Sequence, residues 1–258
     1  MRSSPTRQRS AAERWMNAEL SSARRWLVLL TIAATVGAIA GDVLAANHAG
    51  DGWLWLHWCC KPLATVLIFA LAWRAQPPVS AHYRRWILVG IFFSCCGDVF
   101  LMLPMDLFVP GLLAFLLGHL CFLVAFLGDS RFAARPFLML AVLGYGAINL
   151  LLLWPSIVAP LRVPVIVYVT VLACMAGQAA VRARAFAMRG DALAGSAVRA
   201  AVGALIFLLS DSLLAWNRFH APILLADLWV LSTYYLALWW IARSVQRDDM
   251  AIKAGAAT

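Results

Sequence analysis

The stretch WILVGIFFSCCGDVFLML, Trp86 to Leu103, decides the fold: eighteen residues with one charge, Asp98, and no turn signal. A bilayer core about 30 Å thick needs roughly 17 to 25 apolar residues per helix. The stretch therefore predicts a transmembrane helix with a carboxylate inside it. Seven more such runs flank it, at 26–46, 53–73, 107–127, 136–154, 163–181, 198–215 and 222–242. Trp26, Trp53, Trp73, Trp86 and Trp154 stand at run ends, where an amphipathic ring favours the membrane interface.

The composition agrees with that pattern. Of 258 residues, 64% are hydrophobic and 13% charged, against roughly a quarter charged in soluble domains, so a soluble fold is excluded. Disorder requires low hydrophobicity, and a disulfide scaffold requires dense cysteine in a short secreted chain; both fail. The expected fold is all-α, a polytopic bundle of eight transmembrane helices. Residues 1–25 form a basic tail, 26–242 the membrane domain and 243–258 a second tail.

Lys and Arg outnumber Asp and Glu by 21 to 12. The basic residues fall between the runs and no basic patch interleaves with aromatics, so they read as topology signals and not as a nucleic-acid surface. Eighteen lie in the two tails and alternate loops, whereas the opposite loops hold only Arg162 and Arg218, and Lys61 lies inside the second run. The positive-inside rule then places both termini in the cytoplasm, in a multi-pass protein of a bacterial inner membrane. The run behind the Arg- and Ser-rich tail is too long for a secretory h-region, so the tail is expected to be retained and poorly ordered. All six cysteines fall in apolar runs and read as small buried hydrophobes.

Ionisable groups inside a membrane cost roughly 2.5 to 3.5 kcal/mol on insertion scales, so they face a bundle interior and mark function. Asp98, Asp211 and Lys61 lie within runs, Asp42 and Asp227 nearer the outer ends, and His119 at about mid-depth. Lys61 is some 12 Å from the outer end of its helix, too deep for easy snorkelling. His57, Lys61 and Thr65 are spaced at four and share a face. Ser94 and Asp98 share another, with Gly97 allowing a neighbouring helix to approach. Ser210, Asn217, Tyr168, Tyr234 and Tyr235 complete a polar set whose depths converge on the outer half and predict one polar cavity. Hydrogen bonding between helices is the plainer role for each of them. A short echo links Asp42, Asp98, Asn149 and Asp211 on the odd-numbered helices.

No H-E-x-x-H, paired-histidine spacing, P-loop, dinucleotide fingerprint or G-x-S-x-G elbow occurs, so neither metal nor cofactor is expected. Membrane acids beside a lysine suit an enzyme, a proton-coupled transporter or a non-catalytic lipid-binding bundle. From residues alone the first two stand level.

Lys61-Pro62-Leu63, the segment from Ser94 to Pro104, Phe115 to His119, Leu208 to Ala215 and Thr233 to Ala237 are together similar, in order and spacing, to the YhhN family of integral membrane proteins. Its members include lysoplasmalogenases. Phe122 and Leu238 depart from the family's usual tyrosine and glutamine. The resemblance implies hydrolysis of the vinyl ether of a lysoplasmalogen, with a lysophospholipid and membrane lipids as partners and no nucleic acid. Vinyl-ether hydrolysis needs a proton donor and a charge-stabilising base, which two carboxylates in unlike surroundings supply. Asp98 and Asp211 are the expected acid and base. Lys61 would tune one of them or hold phosphate, and His119, Tyr168, Ser210, Asn217, Tyr234 and Tyr235 would orient water and headgroup.

Overall fold

The structure, a computed structural model, describes residues 5–47 and 51–248, with side chains described over 22–45 and 52–248. Arg2 and Lys253, counted among the tail charges, lie outside the described residues.

Eight α-helices follow one another: α1 (Pro5–Asn47), α2 (Asp51–Trp73), α3 (Ala81–Met102), α4 (Phe108–Leu127), α5 (Pro136–Leu153), α6 (Ala159–Arg189), α7 (Ala194–Phe219) and α8 (Ala226–Arg243). No strand occurs among the described residues. Each expected apolar run corresponds to one helix. α1 begins at Pro5, well before its apolar run.

Seven helices are long and apolar enough to cross a membrane. The eighth is not among them: α8 carries Asp227 in its first turn, Arg243 in its last and two tyrosines between, which dilute its apolar content. It nevertheless packs on α1, α2, α3 and α7 as part of the bundle. Large apolar side chains such as Phe137, Leu151 and Val163 point outward. Water would penalise such a surface, whereas lipid tails accept it. The chain is an integral multi-pass membrane protein.

Helix neighbours define the frame of the site. α2 packs on α3, α3 on α4, α4 on α6, α6 on α7, α7 on α8 and α8 back on α2. These six close a ring, with α1 outside against α2 and α8, and α5 outside against α6 and α7. In α6, Ala173, Ala176, Gly177, Ala179, Ala180 and Ala183 are buried. Small side chains let three neighbours approach one helix, which is how membrane bundles gain contact without a hydrophobic drive between helices. The helix ends at Gly190, whose φ of 63° forms the left-handed cap, with Asp191 N–H donating to the Phe186 carbonyl.

The end bearing most of the basic residues is built more tightly than a topology signal requires. Arg182 is fully buried and binds Asp129 bidentately, with both N···O distances 2.6 Å. Gln178 donates to Ser130 Oγ and to the Arg131 carbonyl. The chain after α8 returns to the α2–α3 connection: Val79 N–H donates to the Val245 carbonyl and Arg247 N–H to that of Pro77.

Candidate active site

Every helix of the ring places a polar side chain inside it, and these collect into two clusters. In the first, on α2, α3 and α8, Asp98 is 2% exposed and its Oδ2 accepts from Thr65 Oγ1 and from Tyr234 OH, both at 2.7 Å. Asp98 reaches this position because Gly97, beside it, leaves room for Phe115 of α4; a Cβ there would stand 2.5 Å from that ring. Tyr235 OH donates at 3.0 Å to the Lys61 carbonyl, tying α8 to α2 beside Pro62.

Lys61 is buried, and among the described residues its ammonium makes no hydrogen bond and no ion pair within 4 Å. Its charge acts on both Asp98 and Asp42. The shared face of His57, Lys61 and Thr65 is buried as the spacing implies. His57 Nδ1 lies 2.9 Å from the Ala38 carbonyl and 3.8 Å from Asp42 Oδ1, which joins α2 to α1.

The second cluster lies on α4, α6 and α7. Tyr168 OH donates to Asp211 Oδ2 at 2.6 Å. His119 Nε2 lies 3.0 Å from the Tyr168 oxygen and 3.2 Å from the same Asp211 Oδ2. Tyr168 spends its one proton on the carboxylate, so Nε2 carries the imidazole proton and donates; the tautomer follows from this network. His119 Nδ1, buried without a partner, then holds a lone pair and leaves no N–H unsatisfied. Asp211 Oδ2 takes every hydrogen bond that reaches this carboxylate among the described residues, and Oδ1 takes none.

An aromatic chain joins the clusters. His119 meets Phe207 edge-on at 4.7 Å, Phe207 meets Tyr234 at 5.5 Å, and Phe115 touches both Phe207 and Tyr234. Edge-to-face contacts of this kind are worth about 0.5 to 1.5 kcal/mol each beyond burial, so the partition is rigid.

A cleft, partly open to the outside, lies between α4, α5, α6 and α7. Leu112, Phe115, Leu150, Val169, Leu172 and Leu208 are among its apolar walls, and its polar groups are Asn149, Tyr168, Asp211 and Ser212. Neither Asp98 nor Lys61 lines it. In place of one polar cavity there are thus two polar clusters, of which only the Asp211 cluster faces the hollow. The physical reason is the set of three rings in the ring interior, Phe115, Phe207 and Tyr234, which fill the space between the carboxylates.

Other expected site residues are placed differently. Tyr234 and Tyr235 serve the first cluster, Tyr168 and His119 the second. Ser210 Oγ donates to the Val230 carbonyl at 3.0 Å and holds α7 to α8. Asn217 Oδ1 accepts from Ile223 N–H at 2.9 Å and fixes the α7–α8 connection. Two cleft residues were not singled out as ligands by sequence: Asn149, which accepts from Trp216 Nε1 at 2.9 Å, and Ser212, which accepts from Tyr145 OH at 3.2 Å. Asn149 had a signal, since it stands at the matching point of the echo on the odd-numbered helices. Ser212 had none beyond its place beside Asp211. Among the described residues no three His, Cys, Asp or Glu side chains come together as a metal site.

Comparison with known proteins matches the YhhN family over residues 56–245. Human lysoplasmalogenase TMEM86A is 32% identical over 208 residues, covering 78% of this chain and 82% of that protein. Human lysoplasmalogenase TMEM86B is 32% identical over 196 residues, covering 76% and 78%. A lysoplasmalogenase of Mycobacterium bovis is 34% identical over 201 residues, covering 74% and 67%. No solved structure matches.

Proposed function

Because this chain belongs to the YhhN family, we propose that it is a membrane hydrolase that cleaves the vinyl ether of lysoplasmalogens, in a bacterial inner membrane with both termini in the cytoplasm. The observation that carries this reading is an apolar cleft lined by a carboxylate, Asp211, whose hydrogen bonds among the described residues all fall on one oxygen. Ligand pockets of this kind are mostly apolar with a few placed polar groups.

The reaction adds water across R–CH=CH–O–R′ to give the aldehyde R–CH2–CHO and the alcohol HO–R′, here a glycerophosphoethanolamine or glycerophosphocholine. Asp211, as the acid, gives a proton from Oδ1 to the vinyl carbon remote from oxygen. The carbon beside oxygen becomes an oxocarbenium ion next to the new carboxylate, which stabilises it. Water adds there, its proton passing to Asp211, and the hemiacetal collapses to aldehyde and alcohol. One carboxyl thereby serves as acid and then base, as in glycosidases.

Tyr168 and His119 hold Oδ2 and leave Oδ1 for the substrate. Asn149 and Ser212, in the same cleft, are the polar groups that position water. Asp98 was the other candidate for the acid and base pair; behind the aromatic partition it is a positioning residue, which with Lys61, Thr65, Tyr234 and Tyr235 fixes α2, α3 and α8 around the Phe207 wall. Ser210 and Asn217 support α7 and its outer connection.

A panel of vinyl-ether and ester lysolipids, incubated with purified protein and assayed for aldehyde and fatty acid, tests the reading. Aldehyde from the vinyl ether alone is the expected result. Release of fatty acid from esters without aldehyde, or substrate flux in sealed vesicles with no product in detergent, would overturn it.

A further inference from the structure

The outer loops hold only two basic residues, Arg162 and Arg218, in a chain whose charge bias keeps arginine on the other side. Both dock on residues that line the cleft. Arg162 Nε donates at 3.2 Å to the carbonyl of Ile157, a cleft residue, and its guanidinium lies 4.8 Å over the Trp154 ring. Among the described residues, neither terminal nitrogen of Arg162 makes a hydrogen bond. Arg218 lies 5.0 Å over the ring of Phe108, which packs edge-on against Phe219, and both rings line the cleft. Its one ion pair among the described residues, to Asp106 Oδ1 at 3.3 Å, is exposed on both sides and contributes little.

Resting on the hydrolase reading for the identity of the ligand, we propose that Arg162 and Arg218 form a phosphate-binding rim at the mouth of the cleft, taking the phosphodiester of a single-chain phospholipid. The spacing suits that ligand. Arg218 follows Asp211 by seven residues, two turns along one face of α7, a rise of about 10.5 Å. Arg162 precedes Tyr168 by six residues on α6, a rise of about 9 Å. In a glycerolipid five bonds separate the ether oxygen from phosphorus, about 6 Å at ordinary bond lengths. Adding about 3 Å for a charged hydrogen bond brings the guanidinium within reach of phosphate when the vinyl ether is beside Asp211. Arginine is suited to the role because its planar fork meets two phosphate oxygens at once. Lys61, the other cation expected to hold phosphate, does not line the cleft.

The test uses full-length protein in nanodiscs and two probes that cannot be cleaved: a 1-O-hexadecyl glycerophosphoethanolamine and 1-O-hexadecylglycerol, the same chain without phosphate. Wild type should bind the phospholipid about tenfold or more tightly than the alkylglycerol, as expected for charge-assisted bonds. Arg162→Gln and Arg218→Gln should each remove part of that preference and the double variant all of it, with alkylglycerol affinity unchanged. Arg218→Lys should keep part, since charge remains without the fork. Equal affinity of wild type for both probes, or equal loss of both in the exposed Arg218→Gln variant, would overturn the proposal. Displacement of the phospholipid by inorganic phosphate at the probe's own concentration would assign the rim to the free anion and overturn the headgroup assignment. Neither probe turns over, so a preference for phosphate without aldehyde release from the vinyl ether would sink the hydrolase reading and leave the rim standing.

Discussion

Asp98 is a buried carboxylate and Asp211 a partly buried one; both accept from a tyrosine, yet Asp211 faces a hollow and Asp98 a wall of rings. That difference predicts different mutants. Asp211→Asn should lower aldehyde release about a thousandfold, the middle of the range for general acid–base groups, while an uncleavable ether analogue still binds. Tyr168→Phe should cost less, because His119 still reaches Oδ2. Asp98→Asn should keep turnover with an unchanged pH profile but lower the thermal midpoint, since it removes a buried negative charge that acts on the Lys61 ammonium. Combining it with Lys61→Met should recover stability relative to Asp98→Asn alone, a double-mutant cycle readable by thermal unfolding in detergent. The ionisable residues were legible in sequence because a charge in an apolar run stands out. Which carboxylate meets which tyrosine was not: partners lie 43 and 136 residues apart, and one sequence carries no helix rotation or neighbour order.

At the scale of the elements, the helices were readable nearly to their ends, because run length against bilayer thickness leaves few choices. The extensions were less so. α6 continues to Arg189, beyond the expected 163–181; of the arginines this extension gains, Arg182 is buried through pairing whereas Arg184 and Arg189 are exposed. Arg182 illustrates why: a loop-charge count sees a topology signal, whereas the fold gives it Asp129 and the rings of Tyr83 and Phe186. Close packing of α7 on α8 gives a prediction of its own. A Cβ at Gly203 would stand 2.7 Å from the Ala237 carbonyl oxygen and 2.9 Å from Ile241 N, so Gly203→Val should separate the helices and lower the thermal midpoint markedly. Gly144→Ala, where nothing lies within 4 Å of the added methyl, should leave it unchanged or slightly raised.

For the whole molecule, six helices form a ring, each placing a polar side chain in a largely apolar interior, and the cleft lies where α5 leans on that ring from outside. On the proposed function, a single lipid chain reaches Asp211 there without breaching the α2–α3–α8 cluster. The proposed topology, eight spans with both ends of the chain in the cytoplasm, is open to test by reporter fusions. Green fluorescent protein fused to the C-terminus should therefore fluoresce, and alkaline phosphatase fused after His220 should be active; the opposite pattern would invert the topology. The most direct test of the account is cleavage of a lysoplasmalogen in heavy water, with mass analysis of the trapped aldehyde from wild type and from Asp211→Asn. One deuterium on the carbon next to the aldehyde in wild type, and product lost in the variant, is the predicted result. Aldehyde without deuterium, or undiminished deuterated product from the variant, would contradict it.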